Sequence, residues 1–224
     1  MTVPECIGII LDGNRRWAKE RGVPALEGHR EGAKRLKECL SWCIERNIKN
    51  LVVYAFSTEN WSRPKEEVSY LMQLMQEVMI KEADDLQQKG IRTKFAGEKE
   101  RFSPEMKKQI TSMEAKSSGN EAVTLWVCLS YGGRAEIVAA AESLRLQEEP
   151  ISEASIGAAL WTAGMPDPDI IIRTGGRHRI SNFLLWQSAY SEIFFLDTLW
   201  PDFSEKEFET VLADFSETKR TFGV

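Results

Sequence analysis

Cysteine and histidine are scarce in this chain, with four cysteines and two histidines among 224 residues. Cys6, Cys39, Cys43 and Cys128 form neither a CxxC pair nor the Cys/His spacing of a zinc site. This pattern argues against a structural zinc protein and against a disulfide-stapled secreted scaffold. Cys39 and Cys43 are one helical turn apart, and we interpret them as small buried apolar side chains.

Long hydrophobic runs are also absent. No apolar stretch approaches the ~20 residues that cross a bilayer, and the N-terminal segment MTVPECIGII lacks the basic-then-apolar pattern of a signal peptide. We therefore expect a cytoplasmic protein, with any membrane contact peripheral and at the inner face.

Positive charge is not in excess, since 29 Lys and Arg residues face 34 Asp and Glu residues and the formal net charge is −5. A nucleic-acid surface needs many phosphate-neutralising cations, so we expect no nucleic-acid partner. The phosphate motifs GxxxxGK[ST] and a helix-opening GxGxxG are missing as well. Any anion site must therefore be a local cluster of a different kind.

Short β-branched runs alternate with longer segments of helical period, and 42% of the residues are hydrophobic. The predicted strands are 6–11, 51–56, 91–96, 123–129 and 169–173, with 190–196 as a weaker sixth. The predicted helices are 13–20, 33–48, 66–89, 103–117, 133–147, 152–161 and 204–219. This alternation predicts one α/β domain over 1–224, with a mostly parallel sheet of about six strands flanked by helices.

Polar and cationic residues follow the predicted strands, where ligands bind in open parallel sheets. These segments are 12–16, 57–63, 131–134 and 173–179, and they hold several glycines and arginines. Glycine lets backbone N–H groups approach a ligand, and arginine offers a planar fork to phosphate oxygens. The pattern predicts capture of more than one phosphate group.

Asp12 is a lone carboxylate among these cations. Mg²⁺ binds through one or two carboxylates together with substrate phosphates, so Asp12 is a candidate Mg²⁺ ligand. The alternative is that Asp12 only caps the helix that follows it. A charged loop in solvent is the corresponding alternative for Arg173, Arg177 and Arg179.

Seven segments occur in order along almost the whole chain: DGNRRWA, EGHREG, YAFSTENWSRPKEEV, YGGR, IIIRTGGRHRISNFLLWQ, AYSEIFF and LWPDF. Together they resemble the cis-prenyltransferase family, which includes the bacterial undecaprenyl diphosphate synthases. The resemblance implies a Mg²⁺-dependent prenyltransferase that adds isopentenyl diphosphate to an allylic diphosphate such as farnesyl diphosphate. It also implies a polyprenyl product such as undecaprenyl diphosphate for the cell-wall lipid carrier, an α/β fold with a hydrophobic tunnel, and a homodimer.

The resemblance also implies roles for individual residues. Asp12 and Glu192 match metal-linked acids, His29 matches the active-site histidine, and Ser57 and Asn60 match residues near the reacting carbons. The resemblance thus implies that Asp12, His29, Ser57 and Asn60 are catalytic. The residues that match substrate-binding positions are Gly13, Asn14, Arg15, Arg16, Trp17, Trp61, Arg63, Glu67, Arg173, Arg179 and Ser181. The proton acceptor stays open among His29, Ser57, Asn14 and the released diphosphate.

Product length is expected to depend on the apolar part of the site. Met72 and Met75 offer a flexible surface that could line the tunnel, although a Met-rich stripe is more often ordinary core. Positions that bear on chain length in the family correspond to Ala55 and Val123. Both side chains are small and let a tunnel continue, so we expect a medium or long product.

Three residues depart from the family pattern, namely Arg15, Ala25 and Arg177. Arg15 could compensate for an arginine missing at Ala25. The alternatives to a long-chain synthase are a short-chain cis-prenyl diphosphate synthase, a non-catalytic scaffold subunit, and an unrelated Mg²⁺-dependent phosphohydrolase. A trans-prenyl synthase is disfavoured because the segment 84–88, DDLQQ, lacks the last aspartate of DDxxD.

Overall fold

A computed structural model describes residues 2–218 of the chain. Its sheet contains six strands, all paired in parallel, in the order β3-β4-β2-β1-β5-β6. The strands are β1 (Cys6–Ile10), β2 (Asn50–Ser57), β3 (Ile91–Ala96), β4 (Val123–Tyr131), β5 (Ile170–Arg173) and β6 (Glu192–Phe195). The predicted α/β class and the weaker sixth strand are therefore confirmed.

Seven α-helices occur in this part of the chain. They are α1 (Asn14–Glu20), α2 (Ala25–Glu45), α3 (Lys65–Gln88), α4 (Pro104–Lys116), α5 (Gly133–Leu146), α6 (Glu153–Ala159) and α7 (Glu205–Glu217). Ser103 and Ser152 cap α4 and α6 through their side chains, as serines at helix starts do. None of the helices in residues 2–218 is long and apolar enough to span a bilayer.

One of the predicted helices has wrong boundaries. The periodicity places the second helix at 33–48, whereas α2 begins at Ala25 and ends at Glu45. Asn47, which has a φ of 59°, lies beyond the end of α2. Ile48 is therefore buried as a loop residue and not as part of the helix. Residue 219, the last of the predicted range 204–219, lies outside the described residues.

The sheet is covered on both faces. Ile7 and Ile9 of β1 join a core with α2, α3, α4 and α7, while Cys6 and Ile10 join the core on the opposite face. A parallel sheet with two covered faces needs apolar residues at successive strand positions, and all five residues of β1 are buried. All four cysteines are buried and unpaired, as expected for Cys39 and Cys43.

Candidate active site

The site is built where α1 crosses α2, and two glycines allow this crossing. A Cβ at Gly28 would lie 2.0 Å from the backbone oxygen of Asn14, and one at Gly32 would lie 2.2 Å from Asn14 Oδ1. Trp200 also packs at this point and donates from Nε1 to the backbone oxygen of Gly32, at 2.9 Å. The segment EGHREG therefore places its glycines against α1 and presents His29 between them.

Asp12 lies between two arginines at the carboxyl end of β1. Arg173 Nη2 donates to Asp12 Oδ2 at 2.8 Å, and Arg16 Nη2 donates to Asp12 Oδ1 at 3.2 Å. Gly13 is the N-cap of α1, and no side chain caps that helix. The alternative that Asp12 is only a helix cap is therefore wrong, because its carboxylate engages the guanidinium groups.

Arg173 fixes the loop that follows β5. Its Nη1 donates at 2.6 Å to both the backbone oxygen of Arg179 and Ser181 Oγ. The Arg173 side chain is 5% exposed, and its Nε is buried without a hydrogen-bond partner in the structure. A solvated charged loop is thus the wrong description of Arg173, although Arg177 and Arg179 are exposed.

The same loop contains strained backbone. Ser181, Asn182 and Leu184 have φ values of 50°, 66° and 45°, in a region that non-glycine residues rarely adopt. Hydrogen bonds hold Asn182 in place: its Oδ1 accepts from the Arg134 N–H at 2.9 Å, and its Nδ2 donates to Glu59 Oε1 at 2.8 Å. The segments after β2, β4 and β5 are therefore tied together at one point.

Ser57 and Asn60 form a reciprocal capping box at the end of β2. The Ser57 side chain accepts from the Asn60 N–H, and Asn60 Oδ1 accepts from the Ser57 N–H at 3.1 Å. This arrangement closes a short 3₁₀ turn over residues 58–62 and turns both side chains towards the cavity that they line.

Glu67 links the first turn of α3 to two arginines. Its Oε1 accepts from Arg15 Nη1 at 3.0 Å and from Arg63 Nη1 at 3.2 Å. Burial, together with the positive charges of Arg63 and Arg15, lowers the pKa of His29 to about 4. His29 is therefore a neutral imidazole at physiological pH.

These polar groups surround the mouth of a cavity of about 820 Å³. Beyond the mouth the lining is largely apolar and comes from α2, α3, the sheet and one residue of α4. Its apolar members include Leu36, Leu40, Val53, Leu71, Leu74, Val78, Met79, Leu86, Phe95, Met113, Leu125, Val127 and Leu129. The arrangement can hold an anionic group at one end and a long apolar chain at the other.

The sequence-predicted residues divide into two groups. Those that line the cavity are Asp12, Asn14, His29, Ala55, Ser57, Asn60, Arg63, Met75, Arg173, Arg179 and Ser181. Those outside its lining are Gly13, Arg15, Arg16, Trp17, Trp61, Glu67, Met72, Val123 and Glu192. Arg15, Arg16 and Glu67 still contact the site, through Arg63 or Asp12, because they pair with groups at its mouth.

Trp17, Trp61 and Met72 point elsewhere. Trp17 Nε1 donates to Asp202 Oδ1 at 2.7 Å, while Trp61 donates to Ser130 Oγ at 2.8 Å. Trp61 and Met72 line a separate groove between α3 and α4. Val123 is buried on β4 two residues before Leu125, so it lies on the same strand face as the cavity lining but below it.

Glu192 does not share a site with Asp12 in this chain. It pairs with Ile170 at the amino end of β5, which in turn pairs with Ile7, whereas Asp12 follows the carboxyl end of β1. Ile10 follows Ile7 by three positions, which is roughly 10 Å along the strand. Glu192 therefore lies outside the cavity that Asp12 lines, and its role in metal binding stays a prediction. No group of three or more His, Cys, Asp or Glu side chains in residues 2–218 could hold a metal.

Several residues of the site were missed by the sequence interpretation. Asn182 lines the cavity mouth and bridges two loops, and Lys37 and Glu82 line the cavity far from Asp12. Asn182 lies inside a recognised segment but carries no charge that marks it. Lys37 and Glu82 sit on helices where a charge usually indicates a solvent face.

The pKa of His29 predicts a pH-dependent loss of stability. Because the pKa is lowered on folding, the unfolded chain binds a proton below about pH 6.5 that the folded chain refuses until about pH 4. Folding stability should fall through this window, by up to about 3 kcal/mol from this residue. Urea unfolding between these pH values should show the decline, and His29→Gln should flatten it. An equally steep decline in His29→Gln would contradict the assignment.

The comparisons with known proteins cover nearly the whole chain. A family model described as "Putative undecaprenyl diphosphate synthase" matches residues 10–223. A ditrans,polycis-undecaprenyl-diphosphate synthase ((2E,6E)-farnesyl-diphosphate specific) of Legionella pneumophila (strain Paris) is 46% identical over 228 residues, which is 99% of this chain and 96% of that protein. An isoprenyl transferase of Aquifex pyrophilus is 44% identical over 224 residues, with 100% and 97% covered.

Two solved structures are similar over their full length. Lavandulyl diphosphate synthase from Lavandula x intermedia, in complex with dimethylallyl diphosphate, superposes with a TM-score of 0.94 at 33% identity and 99% coverage of both chains. A structure described as a probable undecaprenyl diphosphate synthase from Campylobacter jejuni gives a TM-score of 0.87 at 31% identity, with both chains covered completely.

Proposed function

Since this chain belongs to the undecaprenyl diphosphate synthase family and is a prenyltransferase, we propose that it adds isopentenyl diphosphate units to farnesyl diphosphate and makes a polyprenyl diphosphate of undecaprenyl length. The observation that carries the proposal is the position of Asp12, Arg173 and Arg179 at the mouth of a cavity whose depth is apolar. One end suits diphosphate and the other suits an isoprenoid chain.

The arginines hold the diphosphate groups. Arg173 is almost fully buried, its Nε has no partner, and its Nη2 is held by Asp12, so it offers donors to an entering anion. Arg179 and Ser181 lie beside it and add further donors. Charge-assisted hydrogen bonds from such groups are shorter and stronger than neutral ones.

The donor set fits Mg²⁺ only when substrate supplies the other oxygens. Of the two predicted metal ligands, Asp12 and Glu192, only Asp12 lies at the mouth of the cavity. Its side chain is 30% exposed. Mg²⁺ commonly binds through one carboxylate together with substrate phosphates. When bound, the ion would neutralise charge that develops on the departing diphosphate. Asp12 would exchange its arginine partners for this ion.

The remaining residues position the reacting carbons. Ser57 and Asn60 are fixed by their capping box at the cavity wall, and neutral His29 faces the same space. His29, Ser57, Asn14 and the released diphosphate are the groups able to take the proton that completes each addition. With a pKa near 4, His29 is a weak base at neutral pH.

The test is incubation of the protein with farnesyl diphosphate, labelled isopentenyl diphosphate and Mg²⁺, followed by chromatography of the products. A Mg²⁺-dependent ladder that ends near undecaprenyl length is expected. A ladder that ends after one or two additions would support the short-chain alternative. Absence of elongation from every allylic primer tried would favour the scaffold alternative, and release of phosphate without isopentenyl diphosphate would indicate a phosphohydrolase.

Ala55 provides a prediction on product length. Ala55 lies on β2 and its side chain lines the cavity. In our proposal this cavity is a hydrophobic tunnel, and the growing prenyl chain passes Ala55 in it. Replacement by a bulky residue should block that path, so Ala55→Phe is expected to shorten the main product by several isoprene units while the first addition continues. Chromatography of the products measures this change. Val127→Phe, which also lines the cavity, is the comparison, and unchanged product length in both would contradict the proposed path.

We also propose a homodimer and a cytoplasmic location with peripheral membrane contact through the lipid product, with 1–224 as one domain. Edge strand β6 carries Ile193, which is 41% exposed, and Tyr190 precedes it at 65%. These residues support an interface at this edge, whereas Phe183, Leu184 and Trp200 of the apolar segment 183–200 belong to the core. Sedimentation of the purified chain would test the dimer.

A further inference from the structure

We propose that Asn182 is a positioning residue for prenyl transfer. It fixes two segments against each other, the serine turn (residues 57–62) and the arginine loop (residues 173–182). The serine turn carries Ser57 and Asn60, and the arginine loop binds diphosphate in our proposed function. The proposal rests on that function, because the reaction is what requires the two segments to meet. Asn182, Ser57 and Asn60 all line the cavity.

The side-chain amide of Asn182 has a donor on one side and an acceptor on the other. Its Oδ1 accepts from the Arg134 N–H at 2.9 Å, and its Nδ2 donates to Glu59 Oε1 at 2.8 Å. A backbone N–H only donates and a carboxylate only accepts, so these two partners fix the orientation of the amide. The position therefore needs a side chain with both an acceptor and a donor, and asparagine supplies them.

The acceptor side of Asn182 caps helix α5 from a distant segment. The N-cap of α5 is Gly132, which has no side chain to serve this purpose. The backbone oxygen of Asn182 accepts from the Gly133 N–H at 2.7 Å, and its Oδ1 accepts from the Arg134 N–H. The first two N–H groups of the helix are thereby satisfied. The arginine loop is thus anchored to a helix of 14 residues.

The donor side of Asn182 holds the serine turn. Glu59 directly precedes Asn60, and its carboxylate accepts on both oxygens, on Oε1 from Asn182 and on Oε2 from Thr58 Oγ1 at 3.2 Å. Burial acts to raise the pKa of Glu59, but hydrogen bonds from its own backbone N–H and from neighbouring side chains, Asn182 among them, lower it. Glu59 is therefore an anion at physiological pH, and its bond to Asn182 is charge-assisted.

The backbone is adapted to this contact at two positions. A Cβ at Gly132 would lie 2.5 Å from Thr58 Oγ1 and 2.8 Å from Asn182 Nδ2, so glycine lets the three segments meet. Asn182 has a φ of 66°, in the left-handed region that asparagine and aspartate tolerate better than most other residues. Aspartate and glycine therefore suit the backbone at this position, which permits substitutions that change only the side-chain contacts.

Loss of the Asn182 donor should shift the serine turn without unfolding it. Ser57 and Asn60 close the turn through their own capping box, and Trp61 Nε1 still ties it to Ser130 Oγ at 2.8 Å. The turn keeps its internal shape, and its distance from the arginine loop is what changes. A displacement of about 1 Å at reacting groups can cost about 10²-fold in rate.

The experiment measures kcat and KM for isopentenyl diphosphate, with farnesyl diphosphate as primer, in wild type, Asn182→Asp, Glu59→Gln and the double variant. Aspartate keeps the shape and the acceptor for α5 but directs a carboxylate at Glu59. Asn182→Asp should therefore lower kcat about 10-fold to 100-fold, with a smaller change in KM. Glu59→Gln should lower kcat only a few-fold, because its amide oxygen can still accept from Asn182. In the double variant the new amide can donate to the new carboxylate, so kcat should recover to within about threefold of wild type.

Asn182→Gly separates position from charge. Glycine suits the backbone, adds no charge and removes both hydrogen bonds of the side chain. Its kcat should therefore fall as far as that of Asn182→Asp. A normal kcat in Asn182→Gly would show that Asn182→Asp acts by repelling the bound diphosphate, and it would overturn the positioning role.

Asn120→Asp is the matched control for a purely structural effect. Asn120 is also half-buried and links two elements, because its Nδ2 donates to the Ile91 oxygen of β3 at 2.9 Å, but it lies outside the cavity lining. Asn120→Asp should lower the thermal midpoint and leave kcat within about twofold, since the lost bond stabilises the fold away from the site.

Two results would overturn the positioning role and leave the prenyltransferase intact. One is an equal kcat in wild type and Asn182→Asp, and the other is a folded double variant that recovers no kcat over Asn182→Asp. If wild type makes no elongated product, the proposed function fails and the positioning role fails with it.

Discussion

Asp12→Asn is expected to lower turnover about 10³-fold, the scale seen when a group that stabilises transition-state charge is lost. The amide keeps the shape of the side chain, and its one oxygen can still accept from Arg173 or from Arg16, which donate to the two carboxylate oxygens at 2.8 and 3.2 Å in the parent. It removes the negative charge that, in our proposal, holds Mg²⁺ beside the diphosphate. Single-turnover elongation of farnesyl diphosphate measures the effect.

The matched control is Asp202→Asn. Asp202 also pairs with an arginine, Arg21, at 2.9 Å, but it lies outside the cavity lining. Its loss should leave turnover within about twofold, since exposed ion pairs contribute little. Thermal unfolding should be similar in both variants. A folded Asp12→Asn protein with near-normal turnover would remove Asp12 from the mechanism.

Glu136→Ala is expected to reduce the free energy of unfolding by about 3–5 kcal/mol, because it leaves several buried donors without partners. Glu136 is completely buried on α5. Its carboxylate accepts from the Tyr131 hydroxyl, from the Thr162 N–H at 3.0 Å and hydroxyl at 2.8 Å, and from Gln187 Nε2 at 3.0 Å. Urea denaturation measures the loss.

Glu142→Ala is the control on the same helix. Glu142 is 52% exposed and pairs with Arg145 at 2.6 Å, so its removal should change stability by less than about 1 kcal/mol. Equal effects of the two substitutions would show that the buried network contributes little. Glu136→Gln, which can keep some of the bonds, should fall between wild type and Glu136→Ala.

The strands could be predicted because burial on both faces of the sheet produces short, continuous apolar runs in the sequence. Every position of β1 is apolar or glycine, and a parallel sheet covered on both sides requires such runs. The helices with an apolar stripe, such as α3 and α7, were also predicted to within a residue or two of their described bounds. The α2 start was missed because its first two turns carry Gly28 and Gly32 against α1, where no apolar side chain fits.

The cavity mouth was predictable because charged and glycine-rich segments follow parallel strands, and their carboxyl ends share one edge of a sheet. Which side chains turn inward was not. The indole N–H of Trp17 donates to Asp202, outside the cavity. Glu192 is at the amino end of β6, whereas the cavity mouth is at the carboxyl ends of the strands. Neither outcome can be inferred from spacing, since the first depends on a partner remote in sequence and the second on the order of the strands in the sheet. Lys37, Glu136 and Asn182 were missed because their partners also lie on other elements of the chain.

Helix α2 sets the distance between the two ends of the cavity. It carries His29 at the mouth and Lys37 at the ion pair with α3, within one continuous stretch of 21 residues. Insertion of one residue between them would turn Lys37 by about 100° around the helix axis and away from Glu82. Insertions and deletions in this part of α2 would therefore disrupt the far end of the cavity. The space open to a prenyl chain can be adjusted instead by single side-chain substitutions along the helix.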